Sequence, residues 1–423
     1  MKVLWILNII MPYPAKYFKL NVTPFGGWLN GMLSKVVSDK NLELVVVCPY
    51  DGAGLLKCKD KNIIYYLLPN NSRYIYNKKL KKYYEKIYDT FKPDIVHIHG
   101  TEFSHGLVFL ENFSNVKSVV SIQGIMNEIA NRYLAGIKKT DVILNITIRD
   151  IIRRDCLFQS QKRFEKRAKF EYKILGLVDA VIGRTKWDRE FCQKNFPNLI
   201  YYKCNENLRP TFYKGDIWSI RGMKRHTIMF SQITYPLKGF HQLLKALAVI
   251  VKKYPDCTVY VTGQNILDMT TLKNKIKTSG YAKYLQKLIK KYELQNHIIP
   301  MGLCNEEEVK HLLLKSNVYI QSSAIENSSN SLGEAMILGV PCIVSLVGGT
   351  SSMISNNEGL LYDFFDVDAL INNIDKIFSD DELCISLGKN AHKRAIVTHD
   401  RDNNYSTLIS IYKKVLYGGE KND

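Results

Sequence analysis

The sequence predicts an α/β protein of two doubly wound domains, and three observations predict it. A chain of 423 residues is long for one core and suits two of roughly 200 residues each. Strand-like stretches open each half, at residues 3–10 and 225–230, and each is followed by alternating helical and strand patterns. The stretch 317–349 reads as strand, loop, helix, strand. Residues 318–321 and 342–346 are short apolar runs, and 332–338 carries apolar residues at helical spacing. Gly339 and Pro341 then stop that helix, since glycine accepts the left-handed conformation after the last turn and proline cannot continue it.

The remaining elements follow in order. After the first strand, Pro24-Phe25-Gly26-Gly27-Trp28 opens a helix with glycines that let backbone approach a ligand closely. Strands are expected at 42–48 and 63–68, and a basic helix at 74–91 whose lysines form a solvated face. Residues 93–100, PDIVHIHG, read as a buried strand ending in a glycine turn, with Thr101, Glu102 and His105 just beyond. The next strand, 119–123, ends at Gln123-Gly124. Residues 149–173 hold nine basic and four acidic residues interleaved with aliphatic and aromatic ones. That pattern suits a helix packed on the sheet, or one lying on an anionic membrane. A strand at 178–182 leads to Arg184, and periodicity fades over 204–217, the expected linker. The second half continues with a loop at 231–240, a helix at 241–254, a strand at 258–261 and an exposed lysine-rich helical insertion at 273–291. A strand at 297–301, helices at 306–316 and 369–378, and a final helix at 405–417 complete the chain.

Composition bounds the partners. The chain is 46% hydrophobic, enough to bury both cores, and its net charge of +19 attracts something acidic: nucleic acid, anionic headgroups or a phosphorylated substrate. No stacking platform or recognition motif supports nucleic acid. Nine scattered cysteines without a C-x-x-C point away from a disulfide framework and toward a reducing cytoplasm. Asn8, Pro12 and Pro14 break the N-terminal apolar run at the length of a strand, which argues against a signal peptide. No run approaches the roughly 20 residues of a spanning helix, so membrane contact is expected to be peripheral.

Chemistry concentrates in the polar loop 322–331, at the carboxyl end of a strand and the start of a helix, where anionic ligands bind in open α/β sheets. Glu326 lies in the loop and Glu334 eight positions later in the helix, so two carboxylates can converge on one hydroxyl-rich ligand. Glu334 has a second reading, as the last residue of a Ser331-Leu332-Gly333-Glu334 capping box. His97, His99 and His105 lack a matching cysteine or carboxylate pattern and are not read as a zinc site. Asp366-Val367-Asp368 immediately precedes a helix and reads as its N-cap rather than a metal motif.

Glu326 and Glu334, together with Asn330-Ser331-Leu332-Gly333-Glu334-Ala335-Met336, Gly339-Val340-Pro341 and Val347-Gly348-Gly349, resemble the E-x7-E donor-site segment of glycosyltransferase family 4. Its retaining members have the GT-B fold, two Rossmann-like domains facing across a cleft. The resemblance implies that Glu326 contacts the donor sugar and Glu334 the ribose hydroxyls, with Asn330, Ser331 and Leu332 beside the donor. The 231–240 loop resembles the family's G-R-x5-K-G diphosphate clamp: Lys238-Gly239 matches, while Ser231-Gln232 stands where Gly-Arg is expected. Gln232 donates hydrogen bonds but carries no charge. Gly26-Gly27 resembles the family's glycine-rich loop, and the segment with His105 resembles one lining the interdomain cleft in polysaccharide-building members. Gln123 stands where many members carry histidine, and Arg184 resembles a cleft residue.

The expected organisation is an acceptor-binding domain at 1–208, with a C-terminal helix at 405–418 packed back on it, and a nucleotide-sugar domain at 209–404. The expected activity is metal-independent, retaining hexosyl transfer, with Glu326 and Lys238 as the catalytic pair. The donor is a nucleotide-diphosphate sugar and no cofactor is implied. The acceptor is a saccharide or lipid-linked saccharide, in capsule or lipopolysaccharide synthesis at the inner face of the cytoplasmic membrane. Gln232 and Gln123 motivate the alternative, a catalytically silent GT-B subunit that binds a glycan or a partner enzyme.

Overall fold

Two parallel sheets organise the chain, and the strand runs of the sequence are their central strands. A computed structural model describes residues 1–21, 26–70, 75–355 and 357–418, without the Trp28 side chain. The expected opening at Pro24-Phe25 and the helix start at Tyr74 therefore lie outside the described residues. The chain divides into two units: unit 1 holds Met1–Asn127, Arg163–Asn207 and His399 onward, and unit 2 holds Glu128–Lys162 and Leu208–Thr398.

Unit 1 is built on β1 (Lys2–Leu7), β2 (Glu43–Tyr50), β3 (Leu56–Asp60), β4 (Ile63–Pro69), β5 (Ile95–His99), β6 (Lys117–Ser121), β7 (Ala180–Gly183) and β8 (Ile200–Lys203). Their order in the sheet is β3-β4-β2-β1-β5-β6-β7-β8, with β3 antiparallel to β4 and the rest parallel. Successive side chains of a strand point to opposite faces. Val3, Trp5 and Leu7 accordingly enter one apolar cluster, and Leu4 and Ile6 another. Helices must cover both faces, which is the doubly wound arrangement. The final helix, Arg401–Tyr417, covers the first: the Trp5 indole N–H donates to the Tyr412 hydroxyl at 3.0 Å, and Tyr405 donates to Asp39 at 2.7 Å.

Unit 2 carries β9 (Thr227–Ser231), β10 (Thr258–Thr262), β11 (Ile298–Gly302), β12 (Val318–Gln321), β13 (Cys342–Ser345) and β14 (Leu360–Tyr362). All pairings are parallel, in the order β11-β10-β9-β12-β13-β14. The short strands β3, β8 and β14 were not expected from the sequence. Two expected single helices are each broken in two. Residues 149–173 form Ile148–Arg153 and Leu157–Leu175, separated at Arg154, which takes a left-handed φ of 51°. The insertion at 273–291 forms Leu272–Lys277 and Gly280–Lys291. The second of these is not an exposed appendage, because Tyr281, Ala282, Leu285 and Leu288 are buried. Residues 128–162, expected with the N-terminal domain, pack in unit 2, where Ile137 and Val142 join the core. Among the described residues, no helix is long and apolar enough to cross a membrane.

Candidate functional site

The site forms in unit 2 where β9 and β12 lie side by side. From β9 the chain runs to β10 and β11 on one side, then returns to β12 and continues to β13 and β14 on the other. The loops after β9 and β12 therefore diverge, and ligands of open α/β sheets bind at the carboxyl ends of such a switch point. The loop after β9 makes a single 3-10 turn, Pro236–Lys238, closed by Gly239 at φ 70°. A Cβ at position 239 would stand 1.6 Å from the Ser322 carbonyl oxygen, so only glycine lets the two loops touch. They are then cross-braced. The Ala324 amide donates to the Leu237 carbonyl at 2.7 Å and the Ser322 hydroxyl to the Gly239 carbonyl at 3.0 Å, while from the loop after β13 the Gly349 amide donates to the Glu326 carbonyl at 2.9 Å.

This bracing presents Lys238 to Glu326. Lys238 Nζ donates to Glu326 Oε2 at 2.9 Å, and the Ser323 hydroxyl donates to the same oxygen at 3.1 Å. Burial disfavours the ammonium's charge, but the adjacent Glu326 carboxylate outweighs it and holds Lys238 above the ordinary lysine value. The pair thus places a fixed cation and a fixed carboxylate side by side at the mouth of the switch point.

Glu334 sits on the helix Asn330–Ile337 and is buried. It does not close a capping box with Ser331, the second reading its position allowed. The cap is Ser329, whose Oγ accepts from the Leu332 amide at 3.3 Å, so Asn330, Ser331 and Leu332 form the first turn and Glu334 lies beyond it. Its partner is Arg209, gripping it with two hydrogen bonds: Nε to Oε1 at 2.6 Å and a terminal nitrogen to Oε2 at 2.7 Å. Burial works against the guanidinium's charge and the Glu334 carboxylate overcomes it, raising Arg209 above its usual value. Arg209 was not singled out from the sequence. Its signal was indirect, since a carboxylate expected on a buried helix face requires a cation from elsewhere.

Gln232, the residue in the expected arginine position, adopts a left-handed φ of 64°, and its amide donates to the Thr262 carbonyl at 3.0 Å. A side chain in that region is strained by about 1–2 kcal/mol. Asp366 does cap its helix: Oδ1 accepts from the Ala369 amide at 2.8 Å.

The other expected residues lie in unit 1. Gly26, at φ 85°, caps the helix Gly27–Val36, which Gly27 begins. His105 is buried, and its Nε2 donates to the Leu7 carbonyl at 2.8 Å, tying the segment after β5 to the end of β1. Arg184 is buried at the end of β7, forms an ion pair with Glu206, and donates to the Ile122 carbonyl at 2.8 Å. Gln123 reaches the same carboxylate, its Nε2 donating to Glu206 Oε1 at 3.0 Å. Glu206, which the sequence did not flag, is thus their shared partner. His97 is held between the Tyr412 hydroxyl at 2.6 Å and the Ser121 hydroxyl at 2.7 Å, and burial pushes its pKa down to about 3. Among the described residues, no group of three or more histidine, cysteine or carboxylate side chains is arranged to hold a metal ion.

Comparison with known proteins places this geometry. Residues 217–394, which contain Gln232, Lys238, Glu326 and Glu334, match the family model for glycosyl transferases group 1. The chain is 24% identical over 383 residues to the UDP-Gal:alpha-D-GlcNAc-diphosphoundecaprenol alpha-1,3-galactosyltransferase of Escherichia coli, a match covering 86% of each chain. It is 25% identical over 181 residues to a capsular polysaccharide biosynthesis glycosyltransferase of Staphylococcus aureus, covering 41% of this chain and 43% of that one. In fold it is similar to a sucrose-phosphate synthase from Thermosynechococcus elongatus, with TM-score 0.72 at 14% identity over 99% of this chain and 100% of that one. It is also similar to the Anabaena protein HepE in complex with UDP-glucose, with TM-score 0.67 at 15% identity over 98% and 100% of the two chains. The fold is GT-B, and the protein is a transferase enzyme whose residues 217–394, which carry the Lys238–Glu326 pair, match the group 1 glycosyl transferases.

Proposed function

We propose that the protein transfers a hexose-type sugar, with retention of anomeric configuration, from a nucleotide diphosphate to a lipid-linked saccharide diphosphate in envelope polysaccharide synthesis. The Lys238–Glu326 pair at the β9/β12 switch point carries this reading. In such a transfer the hard step is departure of the diphosphate. Positive charge and helix N-terminal amides already aimed at it reduce the barrier without reorganising during the reaction. Lys238 has the charge for that role and the Asn330–Ile337 helix begins beside the Glu326 loop. Glu326 is the group that receives the donor sugar's hydroxyls. Glu334 receives the ribose, exchanging part of its bond with Arg209 for the nucleotide. Arg209 then supplies near the nucleotide a cation that Gln232 does not.

The acceptor is assigned to unit 1, at the carboxyl ends of β1 and β5, where strand order also reverses and where Gly26, Gly27 and His105 follow the strands. The E. coli relative named for a lipid diphosphate supports the acceptor class, and the staphylococcal one the polysaccharide role. The enzyme then works on the cytoplasmic face of the membrane that holds its acceptor. Titration calorimetry with UDP, GDP and their hexose conjugates tests the donor site. The expected result is tighter binding of one nucleotide sugar, weakened in Glu334→Ala. No binding of any nucleotide, or binding untouched by that substitution, would remove the donor assignment.

A further inference from the structure

We infer that a platform of three short helices in unit 2 inserts its aliphatic face into an anionic lipid bilayer. Large apolar side chains normally hide from water, yet among the described residues seven exposed ones fall in two short segments: Ile143, Leu144, Ile148, Ile151 and Ile152, then Leu272 and Ile276. Ile148 is 78% exposed, Ile152 76% and Leu272 74%. Helix Ile148–Arg153 places residues 148, 151 and 152 on one face, and helix Leu272–Lys277 does the same with 272 and 276. A helix packed in a globular domain turns such a face inward. These two turn it outward: the first buries Asp150 instead, which closes a capping box with Thr147, and the second buries none of its residues.

The outward geometry is fixed by bonds between the segments. Asp150 Oδ2 accepts from the Gly280 amide at 2.8 Å, and the Thr147 hydroxyl donates to the Thr278 carbonyl at 2.9 Å. Helix Lys139–Leu144 precedes them, and its Val142 enters the core while Ile143 and Leu144 stay outside.

Charge selects the occupant. Residues 138–155 and 271–278 carry eight basic side chains, Lys138, Lys139, Arg149, Arg153, Arg154, Lys273, Lys275 and Lys277, against three aspartates, one of them buried. Protein–protein interfaces are depleted in lysine and enriched in aromatic residues. Aliphatic side chains rimmed by lysine and arginine suit a helix lying in the headgroup layer, its apolar face in the acyl boundary and its cations on anionic lipids. Of the aromatic residues of 157–173, Phe158 packs on the unit 2 core, Phe170 on a unit 1 cluster, and Phe164 lies under the Arg167 guanidinium at 4.4 Å. The platform's purpose, holding the enzyme at a lipid-linked acceptor, rests on the function proposed above; its binding does not.

Vesicle co-sedimentation of the full chain, without donor or acceptor, tests it. Vesicles of phosphatidylcholine with and without phosphatidylglycerol are compared at low and high salt, for the native chain, the variant I148Q/I151Q/I152Q and the variant K273Q/K275Q/K277Q. The native chain is expected to bind phosphatidylglycerol vesicles, more weakly at high salt. The apolar variant loses at least tenfold, and the lysine variant loses most of its preference for anionic lipid. Both variants alter exposed side chains and are expected to melt with the native chain, which separates lost binding from lost folding. Equal binding by the apolar variant overturns the inference, as does indifference to lipid charge. So does a native dimer that the apolar variant converts to monomer, which would make the face a contact between copies. A chain that binds vesicles but transfers to no lipid diphosphate would instead overturn the acceptor reading and leave the platform standing.

Discussion

At the scale of single residues, the candidate site holds two cation–carboxylate pairs, and the proposed function gives each residue a separable role. Glu326→Gln keeps an oxygen to accept from Lys238 and Ser323, so the loop should hold its shape while the carboxylate is gone. Nucleotide binding is expected within about threefold of native and sugar transfer lost; equal loss of both would show Glu326 to be a nucleotide ligand. Glu334→Ala should weaken nucleotide binding by about 1–3 kcal/mol, the scale of a hydrogen bond to a charged group, read by calorimetry. Arg209→Met leaves the Glu334 carboxylate buried without its cation, and breaking a buried pair from one side costs about 3–5 kcal/mol. Denaturant melts should show that loss, and restoration in Arg209→Met/Glu334→Gln. Glu326 and Lys238 were legible because each sits in a local motif. Arg209 was not, because it meets Glu334 across 125 positions of sequence and no local pattern encodes that contact.

At the scale of elements, long apolar strands were legible and short polar-flanked ones were not. β8 is four residues with exposed ends, and β3 alternates over only five residues, Lys57 and Lys59 exposed on either side of buried Cys58, so neither is long enough to stand out as a strand in the sequence. The helix break at Arg154 was hidden because a left-handed arginine carries no sequence signature as glycine would. The capping of helix Val367–Ser379 by Asp366 was legible from position alone. It gives a prediction: transfer persists in chelator, and a Mg²⁺ requirement removed by Asp366→Ala would contradict it. A second concerns Glu171 in helix Leu157–Leu175, which accepts from Thr101 at 2.6 Å and the Met126 amide at 2.9 Å. Burial pushes its pKa up from 4.5 to about 8. The folded carboxyl keeps a proton that the unfolded chain has released, so its stabilisation is complete below pH 4.5 and lost as pH rises through about 8. Glu171→Gln should therefore melt higher than the native chain at pH 8 by at least about 3 °C, the effect of ~1 kcal/mol in a unit of this size. It should lose that advantage near pH 4.5. Parallel melting curves across the range would show the carboxyl to be ionised in the fold.

At the scale of the whole molecule, two domains were legible from length and from a strand opening each half, and GT-B from the family resemblance of the E-x7-E segment. Membership of residues 128–162 in unit 2 was not legible. Their helices are short, and what binds them there is a set of side-chain and backbone bonds to residues more than 100 positions away, such as Asp150 to Gly280 and His241 to the Ala135 carbonyl. The same segments hold the exposed aliphatic face, so the charge surplus visible in composition acquires a location only in three dimensions.

The central claim is that Lys238 and Glu326 form the catalytic pair of a sugar transfer to a lipid-linked diphosphate. The most direct measurement is single-turnover transfer from a panel of UDP- and GDP-hexoses to N-acetylglucosaminyl diphospholipid, with native chain, Glu326→Gln and Lys238→Ala compared at saturating donor. The account predicts turnover of one donor by the native chain, with the configuration at the transferred carbon retained, and a loss of at least about a thousandfold in either variant, the scale set by removing a preorganised electrostatic group. Turnover within tenfold of native in Glu326→Gln, or an inverted product, would contradict it.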